Sequence, residues 1–173
     1  MDKVGGMMRY GIPVYRLPRN ILDAEINRIK DMGVEIECGR KIEDVEAEKK
    51  SGGYDAVILG LGASISTNVD IPEGDTNHVL NALSVLKEIE STGNIEIARK
   101  VAVYGGGNTA VDVARSLRRI GADPIIVYRR NRDKMPANEE EIANTKKALE
   151  SNNTEEIKDA TDKLTKVFYE MSE

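Results

Sequence analysis

Residues 101–130, "VAVYGGGNTAVDVARSLRRIGADPIIVYRR", decide how this chain is built. Val101–Tyr104 forms a short apolar strand. Gly105, Gly107 and Ala110 then spell G-x-G-x-x-A. The first glycine permits a tight turn, the second lets backbone come close to a pyrophosphate, and the small third residue lets helix and strand pack closely. A helix begins near Asn108 and buries Ala110, Val111, Ala114 and Leu117. Its first N–H groups and positive dipole end face the turn, which suits phosphate. Gly121 closes the helix, and "PIIVY" returns as a second parallel strand. Such a strand–turn–helix–strand unit binds a dinucleotide. The bland alternative is a glycine turn that only packs.

The end of the second strand bears on which dinucleotide. Units that take NAD place an acid there for the ribose 2′-OH, whereas a 2′-phosphate needs the opposite charge. Here the residues are Tyr128, Arg129 and Arg130, with no carboxylate before Asp133. A guanidinium binds phosphate through paired charge-assisted hydrogen bonds. The two arginines favour NADP(H); otherwise they are a solvated strand end.

Working outward, residues 1–19 read as loop, broken by Gly5, Gly6, Gly11, Pro13 and Pro18. Asn20 is expected to cap a helix that turns Ile21, Leu22, Ile26, Ile29 and Met32 to a core and stops at Gly33. "VEIEC", 34–38, alternates like a half-buried strand, with Cys38 packed at its end. Residues 41–53 form a charged helix and a turn. "YDAVILGLGAS", 54–64, is a continuous apolar run, as in a parallel strand covered on both faces. A second amphipathic helix, 79–90, carries Val79, Leu80, Leu83, Leu86 and Ile89 and breaks at Gly93 and Asn94. Beyond Arg130 no strand pattern or glycine recurs. A helix precedes a break at 151–153, and Ile157, Ala160, Leu164, Val167 and Met171 mark a heptad-like stripe in the helix that follows.

Composition excludes several classes. Net charge is -5 over 173 residues, which disfavours non-specific nucleic-acid binding. No apolar run is long enough to span a bilayer, and the start lacks a signal-peptide pattern. The lone cysteine, Cys38, and the lone histidine, His78, cannot assemble a disulfide, a thiolate metal site or a nucleophilic triad. His78 reads as a helix-entry or surface residue. A reducing, cytoplasmic setting is the default expectation. No catalytic side chain and no metal ligand is nominated.

"GGMMRYGIPVYRLPRNILDAEINRIKDMGVEIECG", "YDAVILGLGAS" and "VAVYGGGNTAVDVARSLRRIGADPIIVYRRNRDKMPANEEEI" resemble the NADPH-dependent flavin oxidoreductases typified by the glutamate synthase small (beta) subunit. Dihydropyrimidine dehydrogenase contains a similar module. The resemblance covers about residues 4–142. It implies an α/β, Rossmann-like fold with two dinucleotide sites, electron transfer from NADPH through FAD, and a large electron-accepting partner subunit. It further implies that Gly105, Gly106, Gly107, Asn108, Thr109 and Ala110 line the NADPH pyrophosphate and that Arg129 and Arg130 meet the 2′-phosphate. Gly60, Leu61, Gly62 and Ala63 match the strand end that approaches FAD. Without the resemblance they are a strand-to-loop turn.

The family's first dinucleotide fingerprint, its cluster-ligating cysteines and its closing strands are expected before residue 4 and after Ile142, and this sequence does not carry them. The expectation is therefore a partial flavoprotein fold: an FAD-domain segment at 1–75, a partial NADPH-binding domain at 76–142 and a separable helical tail at 143–173. FAD is not expected to be retained tightly. The tail, "KKALESNNTEEIKDATDKLTKVFYEMSE", resembles the helical lid of DnaK chaperones, without the peptide-binding sheet that the lid covers. Its stripe suits packing on the domain or self-association. A non-catalytic NADP(H)-binding remnant and a fusion that associates through its tail stay open as alternatives to the oxidoreductase.

Overall fold

The computed structural model describes residues 1–66 and 79–150. His78 and the stripe from Ile157 to Met171 lie outside them. The chain divides at Val79 into two compact units.

The second unit contains the glycine turn. Helix α4, Ala82–Thr92, is followed by strand β1, Lys100–Tyr104, helix α5, Asn108–Arg119, strand β2, Asp123–Val127, and helix α6, Glu139–Glu150. The strands pair in parallel, Lys100 opposite Asp123 and Tyr104 opposite Val127. Parallel neighbours need a crossover, and α5 supplies it. Asn81 caps α4 by accepting from the N–H groups of Leu83 and Ser84, and Gly93 ends it with φ +77°. Val79 and Leu80, expected inside that helix, precede it and are exposed, because the cap sets the first turn after them.

The core of this unit joins Val85 and Leu86 of α4, Val103 of β1, and Ala110, Val113, Ala114 and Leu117 of α5. Val111 and Leu117 are fully buried; burying such a side chain contributes about 1.5–3 kcal/mol. Only one face of β1 is covered: Val103 is buried while Lys100, Ala102 and Tyr104 are exposed. Helix α6 packs on α5. An ion pair joins Arg115 to Glu141, both less than a quarter exposed, and Thr145 is buried. α6 runs unbroken across residues 142 and 143, so the expected start of a tail falls inside a helix docked on the α/β unit.

The first unit is built of helices: α1, Gly6–Tyr10, α2, Arg19–Asp31, and α3, Val45–Gly52. Tyr10, Leu22 and Ile26 are the buried apolar residues among its described ones. Arg9 is buried beside them, pairs with Asp23 and donates to the Val4 carbonyl at 2.5 Å. Burial, aided by the Asp2 carboxylate that accepts its hydroxyl, pushes the Tyr10 phenol pKa up. The Arg19 guanidinium donates to the carbonyls of Arg9, Ile12 and Leu17 at 2.7, 2.8 and 2.9 Å. It thereby orders the loop that the sequence shows only as breakers.

Several expectations fail in this unit. Pro18 rather than Asn20 precedes α2, and no side chain caps it. Ile21, Ile29 and Met32 point outward, Met32 being 81% exposed. "VEIEC" and "YDAVILGLGAS" form no strand, and Cys38 is exposed. Ile58 is 93% and Leu61 82% exposed. The cause is common to all: a strand exists only when a neighbour takes up its N–H and C=O groups, and a helix buries a stripe only where an apolar surface meets it. The described residues of this unit offer neither.

Asp123 opens β2 and accepts from Arg99 at 2.8 Å and Arg118 at 2.6 Å. The hydrogen bond from Arg99 is the main cause that holds its carboxyl pKa low. A depressed folded pKa stabilises at pH above the unfolded value, roughly 3.9, and that stability is lost as pH falls through the folded value. Asp123→Asn should therefore lower the denaturation midpoint at pH 7, and its gap to the unmodified chain should close below about pH 4. Urea titrations at both pH values check this.

Candidate functional site: a glycine turn under an arginine loop

The turn between β1 and α5 is held from three sides. Gly105 donates its N–H to the Val127 carbonyl at 2.9 Å, which extends the ladder one step beyond β1. Its φ is +140°, a conformation that L residues rarely adopt. A Cβ at Gly105 would lie 3.3 Å from the Cβ of Ala110. The first and third small residues of the fingerprint thus meet each other, as close strand–helix packing requires.

Gly106 is glycine for a different reason. A Cβ there would sit 2.7 Å from the ring of Tyr128, the residue that follows β2. Its carbonyl accepts the N–H of Ala137 at 3.1 Å.

Gly107 is the N-cap of α5, with an ordinary φ of -88°. A Cβ at Gly107 would meet no protein atom within 4 Å. Neither backbone strain nor internal packing accounts for this glycine, and the space beside it is open. No side chain caps α5, so the first N–H groups of the helix stay available to an anion. Thr109 is exposed next to the turn. Asn108 accepts the N–H of Asn138 at 3.0 Å through its side chain, a contact between residues 30 apart that sequence patterns do not reveal.

Arg129 and Arg130 are exposed at the end of β2. Among the described residues neither forms a hydrogen bond or ion pair. A single helical turn, Arg132–Lys134, follows. The structure thus joins Gly105, Gly106, Gly107, Asn108 and Ala110 in one turn, with the arginine-bearing loop fastened to it.

Gly60, Leu61, Gly62 and Ala63 are exposed, outside any strand, and a Cβ added at Gly60 or Gly62 would touch nothing. Among the described residues of their own unit they form no enclosure for FAD. Among the described residues no cluster of His, Cys, Asp or Glu could hold a metal ion, and no helix is long and apolar enough to cross a membrane.

A parallel strand pair joined by a helix, with an open glycine at the helix start, defines a partial Rossmann-like α/β fold. The chain belongs to the pyridine nucleotide-disulphide oxidoreductase family, which matches residues 12–161. It is 38% identical over 143 residues to the NADP(+)-dependent formate dehydrogenase subunit beta of Moorella thermoacetica, covering 80% of this chain and 20% of that protein. It is 34% identical to the NAD-dependent dihydropyrimidine dehydrogenase subunit PreT of Salmonella typhimurium, covering 82% and 35%. It is 30% identical to a putative glutamate synthase [NADPH] small chain of Cereibacter sphaeroides, covering 83% and 37%. The chain thus spans between about a fifth and two fifths of the length of these relatives. Two of them are named as a dehydrogenase subunit and the third as the small chain of a glutamate synthase.

The two outer glycines should behave oppositely when changed. Gly105→Ala strains the turn and should cost about 1–3 kcal/mol of stability. Gly107→Ala should leave stability nearly unchanged yet abolish measurable nucleotide binding. Thermal melts set beside nucleotide titrations separate the two effects.

Proposed function

We propose that this chain carries the NADP(H) site of an oxidoreductase that moves electrons from NADPH through FAD, of the glutamate synthase small-subunit type. The observation that carries this reading is the pairing of an open Gly107 at the start of α5 with two exposed guanidiniums at the end of β2 that engage no other described residue. The relatives' names include both NAD- and NADP-linked enzymes, so family membership alone does not choose the nucleotide. The charge at the strand end does: it attracts a 2′-phosphate, and no acid there would bind a bare ribose.

In this reading the helix start and the Gly107 backbone hold the pyrophosphate, while Arg129 and Arg130 hold the 2′-phosphate. The nicotinamide supplies the hydride when bound, and the chain's own part is to bind and orient it. No acid, base or nucleophile of the chain takes part. The flavin's contacts beyond Gly60–Ala63 would come from residues outside the described ones, and a larger partner subunit would accept the electrons. In this assignment residues 1–75 belong to the FAD domain and residues 76–142 to the NADPH domain.

A charge-assisted hydrogen bond contributes about 1.5–3 kcal/mol, or roughly tenfold to a hundredfold in affinity. Replacing Arg129 and Arg130 together by Ala should weaken NADPH by about that factor and leave NADH nearly unchanged. Titration of the full chain with each nucleotide at fixed salt reads this directly. Equal losses for both would remove the arginines from the site. Flavin absorbance of the purified chain, expected to be weak or absent, separates a chain that binds only NADP(H) from one that also holds FAD.

A further inference from the structure

The NADP(H) assignment leaves open what holds the arginines in place. Two exposed guanidiniums on a loose loop would lose much of their binding energy to side-chain and backbone ordering. The loop after β2 is not loose. It enters beside the glycine turn through the Gly105–Val127 hydrogen bond and leaves beside it through Ala137 to Gly106 and Asn138 to Asn108. Between these anchors the Tyr128 hydroxyl donates to the Lys134 carbonyl at 3.0 Å. That bond closes residues 129–133 into a short bight. Two further backbone bonds, Lys134 to Asn131 at 3.0 Å and Met135 to Arg132 at 3.1 Å, stiffen its far side.

The Tyr128 ring is the other half of the device. It rests on Gly106, so closely that a Cβ there would meet Cδ2, Cε2 and Cγ at 2.7–2.9 Å. Gly106 is buried and has no positive φ; only the ring requires it to be glycine. One side chain therefore touches the pyrophosphate turn with its ring and the arginine bight with its hydroxyl.

We propose that Tyr128 is a positioning residue for nucleotide choice: it fixes the Arg129–Arg130 bight at a set place relative to the glycine turn, so that pyrophosphate and 2′-phosphate are met together. This rests on the NADP(H) assignment above. It assigns Tyr128 no contact with the reacting atoms.

The test uses the full chain and two pairs of probes, NADPH against NADH and adenosine 2′,5′-bisphosphate against 5′-AMP. Each pair differs in the 2′-phosphate. Tyr128→Phe keeps the ring on Gly106 and removes only the hydroxyl. It should reduce the preference for the 2′-phosphorylated member about two- to tenfold, the size of one hydrogen bond. Affinity for NADH and 5′-AMP, and the thermal midpoint, should hold. A merely structural residue would lower both members of each pair alike.

Gly106→Ala, by displacing the ring, should also erode the preference, and should erode it no further once Tyr128→Ala has removed the ring. Tyr128→Phe with an unchanged preference, or with equal losses for both members, would overturn the proposal. So would an undiminished effect of Gly106→Ala in the Tyr128→Ala background. If the unmodified chain showed no preference for the 2′-phosphate, the NADP(H) assignment itself would fall and this inference with it.

Discussion

The second unit depends on the backbone of Gly105. At that residue the chain must stay in register with β2, donating to Val127, and turn sharply enough to start α5 three residues later. A φ of +140° meets both demands, and a side chain would be opposed by Ala110. Once α5 is launched in this direction, Val113, Ala114 and Leu117 fall onto Val103 and the α4 residues Val85 and Leu86. The same rotation turns Arg115 toward Glu141 and gives α6 a place to dock. Core and cradle are thus two outcomes of one turn.

The two units differ in how far they satisfy themselves. The second has a strand pair, a crossover and helices that share an apolar core. The first gathers its order around Arg9 and Arg19, cations that tie down carbonyls where little apolar surface is available. Hydrogen bonds to charged groups are among the stronger ones, about 1.5–3 kcal/mol each, which suits a helical unit whose described residues include three buried apolar side chains. Meanwhile residues 54–65 hold an apolar run in the open. Exposed apolar stretches of this kind are adhesive.

Family membership and nucleotide choice rest on different evidence. Membership follows from a match over most of the chain. In the proposed reading nucleotide choice is a local electrostatic matter, carried by charges a few residues beyond β2; relatives of comparable identity carry both NAD and NADP in their names. In that reading the loop from Tyr128 to Asn138 is of particular interest, because its contacts to the glycine turn tie the proposed 2′-phosphate residues to the proposed pyrophosphate turn.

The sequence alone determined what depends on neighbours along the chain. Gly105, Gly107 and Ala110, with Val101–Tyr104 before and Ile125–Val127 after, foretold the strand–turn–helix–strand unit, because turn angle, helix start and apolar periodicity are local properties. The family followed from the same residues with the "MRYGIP" and "MPA" stretches. Tertiary structure decided whatever needs a partner. "VEIEC" and "YDAVILGLGAS" have strand composition and yet form no strand, since a ladder requires a second backbone. Ile29 and Met32 have helix-core spacing and yet face outward, since a stripe requires a surface. Gly106 reads in sequence as the free position of the fingerprint, and only the fold shows that the Tyr128 ring, 22 positions on, occupies the space where its side chain would be.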